Sequence, residues 1–429
     1  MARRHLAASA LVAVGTFLGN ILSYGFSFAL AHQLNPTGYG QVGALLMLFL
    51  VASIPAWAIQ AVTARRVAQA GELDRAALRE LTSPLVRWSL IVGVAGTVLL
   101  AGLAPAVSAI LPSVSAGQVA WTALALTPNA LIFCYLGIAQ GSSRFTAYTV
   151  LFVGFNGAKL VAGIAAGAIT ADPGLIMGAM AASWFATAAV SHFALRDLVG
   201  KPHFQRGLGY VRELGSASWS LGAVLLLSLL DGLLAAHYFS GDVLGRYQAG
   251  AMFTRAGYFG PQFAGILAYP KLAVPETRGK ALMSATVLSI GVGALIVLGT
   301  ALAADPAIRV AFGAKYVDTA GAAASFDLAS AAWLFALAGA TQALVQLALL
   351  DAVARRSTAI GWIVFAGIVA ETVVILTFAH HTPVQLIATA AVCGTVTAAA
   401  SLTVTAFAKH HSSALMPNQP QSEYAATTP

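Results

Sequence analysis

Charge is what this sequence has least of. Asp, Glu, Lys and Arg make up 9% of 429 residues while 59% are apolar, a balance that a water-soluble domain could not hide in one core. Cysteine is nearly absent, and Cys134 and Cys393 both lie inside apolar runs with no second Cys or His at ligand spacing, which excludes a disulfide framework and a zinc site. No polar stretch exceeds about twenty residues and no GxxxxGK[ST] occurs, so a nucleotide-hydrolysing domain has neither room nor motif. No cofactor is implied. Any energy coupling must come from gradients, voltage or product removal.

What is present is a succession of about twelve apolar segments, each long enough to cross the hydrocarbon core of a bilayer. They run roughly over 8–31, 40–63, 85–110, 116–140, 146–169, 173–196, 216–239, 247–270, 280–303, 321–350, 359–379 and 383–408. The predicted fold class is therefore all-α, a polytopic integral membrane protein. With the N-terminus inside, the even-numbered loops and both tails carry most of the 23 Lys and Arg, among them Arg65, Arg66, Arg144, Arg212 and Arg355. The odd-numbered loops carry only Arg246, Arg309 and Lys315. Basic residues resist translocation, so the asymmetry places both termini in the cytoplasm of a multi-pass protein of the cytoplasmic membrane. The net charge of +8 is then topology, and no nucleic-acid partner is implied. The first segment, after Arg3 and Arg4, is longer than the apolar core of a signal peptide and reads as a retained helix.

The break from Asp197 to Gly215 divides the chain into two groups of six helices. Residues 1–196 form the first lobe, 197–215 a cytoplasmic linker, 216–408 the second lobe, and 409–429 a polar cytoplasmic tail whose composition predicts disorder. Sliding one lobe over the other by 205 positions sets His32 on His237, Gly40 on Gly245, Met47 on Met252 and Arg66 on Lys271 without a gap. Six helices per half means parallel repeats, related by an axis along the membrane normal, which can rock about a central cavity.

The stretch His32-Gln-Leu-Asn-Pro-Thr-Gly-Tyr-Gly40, an apolar helix and Arg65-Arg66 resemble the opening of the polysaccharide exporters in the multidrug/oligosaccharidyl-lipid/polysaccharide (MOP) superfamily. Gln140-Gly-Ser-Ser-Arg-Phe145, Gly245-Arg-Tyr247 and Ile308-Arg-Val-Ala-Phe-Gly-Ala-Lys-Tyr316 resemble that family's fourth loop, eighth-helix entry and ninth loop, in the same order. The resemblance implies a Wzx-like flippase with no enzymatic activity, moving a polyprenyl-pyrophosphate-linked glycan to the outer leaflet for cell-wall polysaccharide assembly. The partners it implies are that glycolipid, membrane lipids and envelope glycosyltransferases. Two alternatives stand beside it: a cation-coupled multidrug exporter of the same superfamily, and a membrane glycosyltransferase or ligase, which would need a sizeable outer loop with catalytic charges.

Charged residues inside the spans carry the site expectations, because charge in hydrocarbon is costly and turns toward a partner or a wet cavity. Asp231 and Arg255, in helices seven and eight, are expected at equal depth, where they either lock the hairpin as an ion pair or present an anion-binding Arg held by Asp. Arg suits pyrophosphate because its planar fork donates two parallel hydrogen bonds. Lys159 and Glu371, in helices five and eleven, share a depth near the midplane. Lys159 is a second candidate for pyrophosphate, and Glu371 a candidate proton or sodium site. Asn20 and Asn156 are candidates for hydrogen-bonding sugar, as are Gln60, Asn129, Gln262, Gln342 and Gln346; all serve equally well to tie helices together. The pairs Gly15/Gly19, Gly163/Gly167 and Gly174/Gly178 read as close helix packing, and Pro55, Pro128 and Pro261 as interruptions of helices two, four and eight.

Overall fold

The computed structural model describes residues 2–71, 74–200, 208–272, 275–317, 326–354 and 358–414. The chain is all-α. Its first half consists of α1 (Ala2–Gln33), α2 (Pro36–Ala52), α3 (Ile54–Gln69), α4 (Arg75–Gly102), α5 (Ala104–Ile110), α6 (Ala116–Ala123), α7 (Leu126–Gly141), α8 (Phe145–Ile169) and α9 (Pro173–Ala194). The second half contains α10 (Leu208–Tyr238), α11 (Gly241–Leu272), α12 (Pro275–Ala311), α13 (Leu328–Ala354), α14 (Ala359–Thr377) and α15 (Pro383–Ala414).

Nine described helices are long and apolar enough to cross a membrane, or ten if the bent pair α2/α3 is one span. Each of the twelve expected segments nevertheless coincides with a long helix or a broken helical pair. α10 and α11 are absent from that count, which covers the described residues alone. Asp231 of α10 and Arg246 of α11 are buried in protein.

Proline explains two of the breaks. Pro55 opens α3 after Ser53, bending the span by 41°, and Pro128 follows the break between α6 and α7. α11, by contrast, runs on through Pro261. The third span breaks at Leu103 and α12 leaves helical geometry at Ala303. Both breaks precede a proline, Pro105 and Pro306, where the ring removes a backbone donor.

The three paired-glycine motifs are packing seams. A Cβ at Gly15 or Gly19 would strike Thr149 or Phe152 of α8, and one at Gly163 or Gly167 would strike Phe26 or Gln33 of α1. Gly174 and Gly178 likewise admit Gln118 and Trp121 of α6. α1 thus lies along α8, and α9 along α6. In the second half α11, α12, α13 and α15 pack together, while α10 and α14 close their other side.

The halves meet where α2 crosses α11 and where α3 passes α10. α1 ends at Gln33 and α2 begins at Pro36; α10 ends at Tyr238 and α11 begins at Gly241, each shifted by the 205 residues of the repeat. Equivalent residues then touch each other across the axis. Thr37 donates to Asp242 Oδ1 at 2.7 Å. A Cβ on Gly40 would lie 2.7 Å from the Gly245 nitrogen, and one on Gly43 2.6 Å from Gln248 Cγ. Met47 and Met252 both face Arg255.

The flanking contacts obey the same symmetry. Lys315 Nζ donates to the carbonyls of His32 (3.1 Å) and Leu34 (2.5 Å) at the end of α1, where a cation satisfies orphan carbonyls and complements the helix dipole. Its mate is His237 Nδ1, which donates to the Ile110 carbonyl at 2.5 Å. Residues 32 and 237, and 110 and 315, are repeat equivalents. One face of the bundle, called here the Pro36 face, is therefore sealed by a self-complementary contact between the halves.

On the opposite, Arg66 face, Arg65 and Arg66 of α3 both grip Glu213 of α10, and Arg66 lies 5.1 Å from the Tyr210 ring centroid. Arg144 grips Asp197 with two parallel bonds, and the Arg144 guanidinium holds that carboxyl below the usual carboxylate range. Of the expected linker, residues 201–207 lie outside the described residues and Leu208 already belongs to α10. Of the expected tail, 409–414 continue α15 and 415–429 lie outside the description, as do the side chains of Gln262 and Lys271.

Candidate functional site

The structure separates Asp231 from Arg255. α11 starts at Gly241, several residues earlier than expected, so Arg255 lies seven residues deeper along its helix from the turn than Asp231 does along α10. At 1.5 Å per residue that offset is about 10 Å. The residue level with Asp231 is instead Tyr247, whose hydroxyl donates to Asp231 Oδ2 at 3.1 Å. Sequence reasoning missed Tyr247, which had been read only as part of a helix entry.

Arg255 has weak partners. Its guanidinium donates to Met252 Sδ at 3.4 Å and Met47 Sδ at 3.7 Å, and thioether sulfur is a poor acceptor. No carboxylate among the described residues comes within ion-pair distance of it. It borders a narrow cleft between the halves, shared with Phe26, Ser27, Tyr39, Gly43 and Gln248. No acidic side chain lines this cleft.

Lys159 reaches the same region from α8. Its Nζ donates to Ser23 Oγ at 2.6 Å and lies 5.1 Å from the centroid of Phe26, the ring that also lines the cleft. Lys159 is within electrostatic reach of Arg255. Asn20 is half-buried on α1, one turn before Ser23. Asn156 packs beside Gly19 in the α1/α8 seam and donates to the Phe152 carbonyl of its own helix at 3.0 Å.

Glu371 belongs to another neighbourhood. It is 2% exposed on α14, within electrostatic reach of Asp231 and Tyr247. Lys159 and Glu371 therefore sit at similar depth in opposite halves and do not pair. The site residues form two groups: the cations Arg255, lining the cleft, and Lys159, behind its Phe26 wall; and the carboxylates Asp231 and Glu371, enclosed in the second half. Among the described residues, no group of three or more metal-ligating side chains is suited to a metal ion.

Two of the remaining polar expectations are helix ties. Gln60 donates to Gln140 Oε1 at 3.2 Å, and Gln342 to the Leu227 carbonyl at 3.3 Å. On the Pro36 face, Asp305 binds Arg309 at 2.6 Å within one helix turn and Lys315 caps α1. These outer charges have structural partners; Asp318 of the same loop lies outside the described residues.

The fold is that of solved transporters of the MOP superfamily. The chain is similar to an inward-facing multidrug resistance MATE family transporter of that superfamily, with a TM-score of 0.76 at 11% identity over 92% of this chain and 96% of that one. It is similar also to the lipid II flippase MurJ in an inward closed conformation, with a TM-score of 0.72 at 11% identity over 92% and 87% of the two chains. In sequence it is 28% identical over 373 residues to an uncharacterized protein of Mycobacterium bovis, covering 82% of each chain. No family model matches.

Proposed function

We propose that this chain is a flippase that moves a polyprenyl-pyrophosphate-linked oligosaccharide across the cytoplasmic membrane by alternating access. The observation that carries the reading is the sign of the cleft wall: Arg255 lines it, Lys159 stands behind its Phe26 wall, and no carboxylate lines it. A cationic drug calls for acidic walls; a glycolipid diphosphate calls for these. Arg255 rests on sulfur, so its donors remain available to an anion at little cost.

The orientation that goes with this reading puts the Arg66 face and both termini in the cytoplasm, since that face carries the basic loops. The cleft is closed to a sugar in this state, so the headgroup would enter between the halves only as they part, because burying its hydroxyls unpaired in hydrocarbon costs several kcal/mol each. The polyprenyl tail would stay in the bilayer, and envelope glycosyltransferases would supply the cargo. The α2/α11 crossing serves as the fulcrum, and the contacts of the Pro36 face break as the outer side opens. Asp231 and Glu371 would supply coupling to a cation gradient, in the role expected of Glu371.

The test is leaflet accessibility of the lipid-linked glycan in cells depleted of the protein, probed with an impermeant lectin. Precursor that accumulates but stays inaccessible supports the flippase; normal arrival outside refutes it. Cation-coupled drug export is the second reading, favoured by the enclosed carboxylates and by the MATE-like fold. Efflux of an amphipathic cation that depends on Glu371 would turn the assignment to it.

A further inference from the structure

The half that encloses the carboxylates also holds several unmatched oxygens. Gln342 Oε1, Ser401 Oγ and Glu371 Oε1 are each buried without a hydrogen-bond partner, and so is Gln346 Oε1. Gln342, Ser401 and Glu371 are 6%, 0% and 2% exposed. Buried polar groups of folded proteins are nearly always satisfied, so several in one half of one molecule ask for an occupant. Because Gln342 spends its amide N–H on the Leu227 carbonyl, what it offers the interior is an acceptor.

The helices bring these oxygens into register. A Cβ on Gly394 of α15 would lie 2.7 Å from Thr341 Oγ1 of α13, and one on Gly367 of α14 2.3 Å from Thr397 Oγ1 of α15. Thr341 and Gln342 of α13 thus lie level with Gly394 and Thr397 of α15. One turn toward the Arg66 face come Gln346 and Ser401; a further turn brings Asp351 and Thr405, both buried, with Thr405 bonded to the Ser401 carbonyl. In the other direction, Leu227, which accepts from Gln342, lies one turn from Asp231. A helical turn rises 5.4 Å, so the steps are of the size that one water or small ion bridges. Beside the file runs an apolar cluster containing Leu227, Val345, Ile368 and Ala398, which would confine a passenger to the oxygens.

We infer that Asp351, Ser401, Gln346 and Gln342 form a hydrated file through the second half that carries a small monovalent cation, sodium or hydronium, between the cytoplasm and the Asp231/Glu371 pair. The file rests on the proposed orientation and on the coupling role of those carboxylates. It keeps the coupling ion apart from the cationic cleft where the anionic headgroup binds, so cation and cargo travel by separate routes.

The experiment uses the full chain with Cys134→Ala and Cys393→Ser, in inverted vesicles, reacted from the cytoplasmic side with a small cationic methanethiosulfonate. Ser401→Cys is expected to react about tenfold faster than Ala398→Cys, because a thiolate forms in a wet file and not in an apolar cluster. Equal rates overturn the file. Slowing of Ser401→Cys modification by sodium relative to choline supports it with sodium as passenger; indifference to sodium, together with transport driven by an imposed pH gradient, supports it with the proton. A wet file accompanied by neither dependence overturns cation passage. Glu371→Gln tests the coupling reading separately: it abolishes the dependence on sodium or pH while leaving Ser401→Cys reactive, and an unchanged dependence refutes the coupling role alone.

Discussion

Substituting Gly245 by Ala tests the fulcrum at its tightest point. The added Cβ would sit 2.0 Å from the Pro36 carbonyl oxygen and 2.5 Å from its carbon. Both are backbone atoms next to the α1–α2 turn, so no side chain can swing aside. Ordinary contact begins at 3.4 Å, so the crossing must widen by about 1.4 Å, the difference between those two distances. Such overpacking typically costs about 1–3 kcal/mol. A shift of that size also stretches the 2.7 Å Thr37–Asp242 bond to about 4 Å, beyond hydrogen-bond range. Gly102 meets nothing within 4 Å, so Gly102→Ala controls for the change in composition. The assay is thermal unfolding in detergent, combined with cross-linking of Thr37→Cys to Asp242→Cys by a short bifunctional thiol reagent. Gly245→Ala should melt earlier than Gly102→Ala and cross-link more slowly. Equal melting and equal cross-linking in the two variants would refute the account of α2 and α11 as a close-contact fulcrum.

Tyr247→Phe removes the α11 hydroxyl that donates to Asp231 Oδ2 and leaves a buried carboxyl underbonded, at a cost of about 1–3 kcal/mol; thermal unfolding reads it, and an unchanged midpoint would show that the bond contributes nothing. Lys159→Met keeps the length of the side chain and deletes its charge, so binding of a diphosphate-linked lipid should weaken roughly 10–100-fold, the equivalent of a charged hydrogen bond of about 1.5–3 kcal/mol. Lys159→Arg should retain most of it, and equal loss in both variants would point to packing. Glu213→Ala frees Arg65 and Arg66 on a face where Arg65 is 55% exposed; exposed pairs contribute about 0–1 kcal/mol, so stability should barely change while a cysteine placed in the α3/α10 seam becomes more reactive. Asp197 has its folded-state value below the ordinary carboxylate range because of Arg144. Its contribution is therefore complete above that ordinary range and fades as pH falls through the lower folded value; in Arg144→Gln the acid sensitivity of unfolding should shrink, and an unchanged acid limb would exclude the pair as its source.

Much of the fold was legible because a bilayer leaves few solutions: about twenty apolar residues make a helix, and basic residues mark one side. The repeat was legible from His32/His237 and Gly40/Gly245, although the offset was read only as likeness between halves. Carried further, it pairs Thr37 with Asp242 and Gly43 with Gln248, and those partners are in contact. The Asp231–Arg255 pairing failed for a local reason. Gly241, at φ 60°, turns the chain at once into α11, and starting the helix six residues earlier than expected moved Tyr247 opposite Asp231 and carried Arg255 deeper. The Met47/Met252 cradle was invisible because sulfur at a helix crossing looks like any apolar residue. The separation of Lys159 from Glu371 was invisible for the reason given by their equal depth: depth is readable from the chain, whereas the rotation of a helix about its axis follows from packing.

The symmetry of the contacts and the asymmetry of the charges together constrain the mechanism. Where the halves must move against each other, the repeat is kept: Thr37 meets Asp242, Gly40 meets Gly245, and the Lys315–His32 contact has its mate in His237–Ile110. A self-complementary seal opens or closes as a unit, because displacing one contact of a two-fold set displaces its equivalent. At the residues proposed to bind ligands, the repeat is abandoned. Asp231 replaces what is Phe26 in the first half, Arg255 what is Leu50, and Glu371 has no carboxylate counterpart near Lys159. Rocking needs only matched halves, while moving a cargo in one direction needs the two sides of the cleft to differ in chemistry. A phenylalanine at 26 gives Lys159 a ring to lie against and a wall to the cleft; an aspartate at the equivalent position 231 gives the other half its carboxylate. Exchanging the two, as Phe26→Asp with Asp231→Phe, should leave the seal on the Pro36 face closed by the cross-linking assay and abolish transport. Retained transport in that double variant would mean that neither charge group is tied to its half.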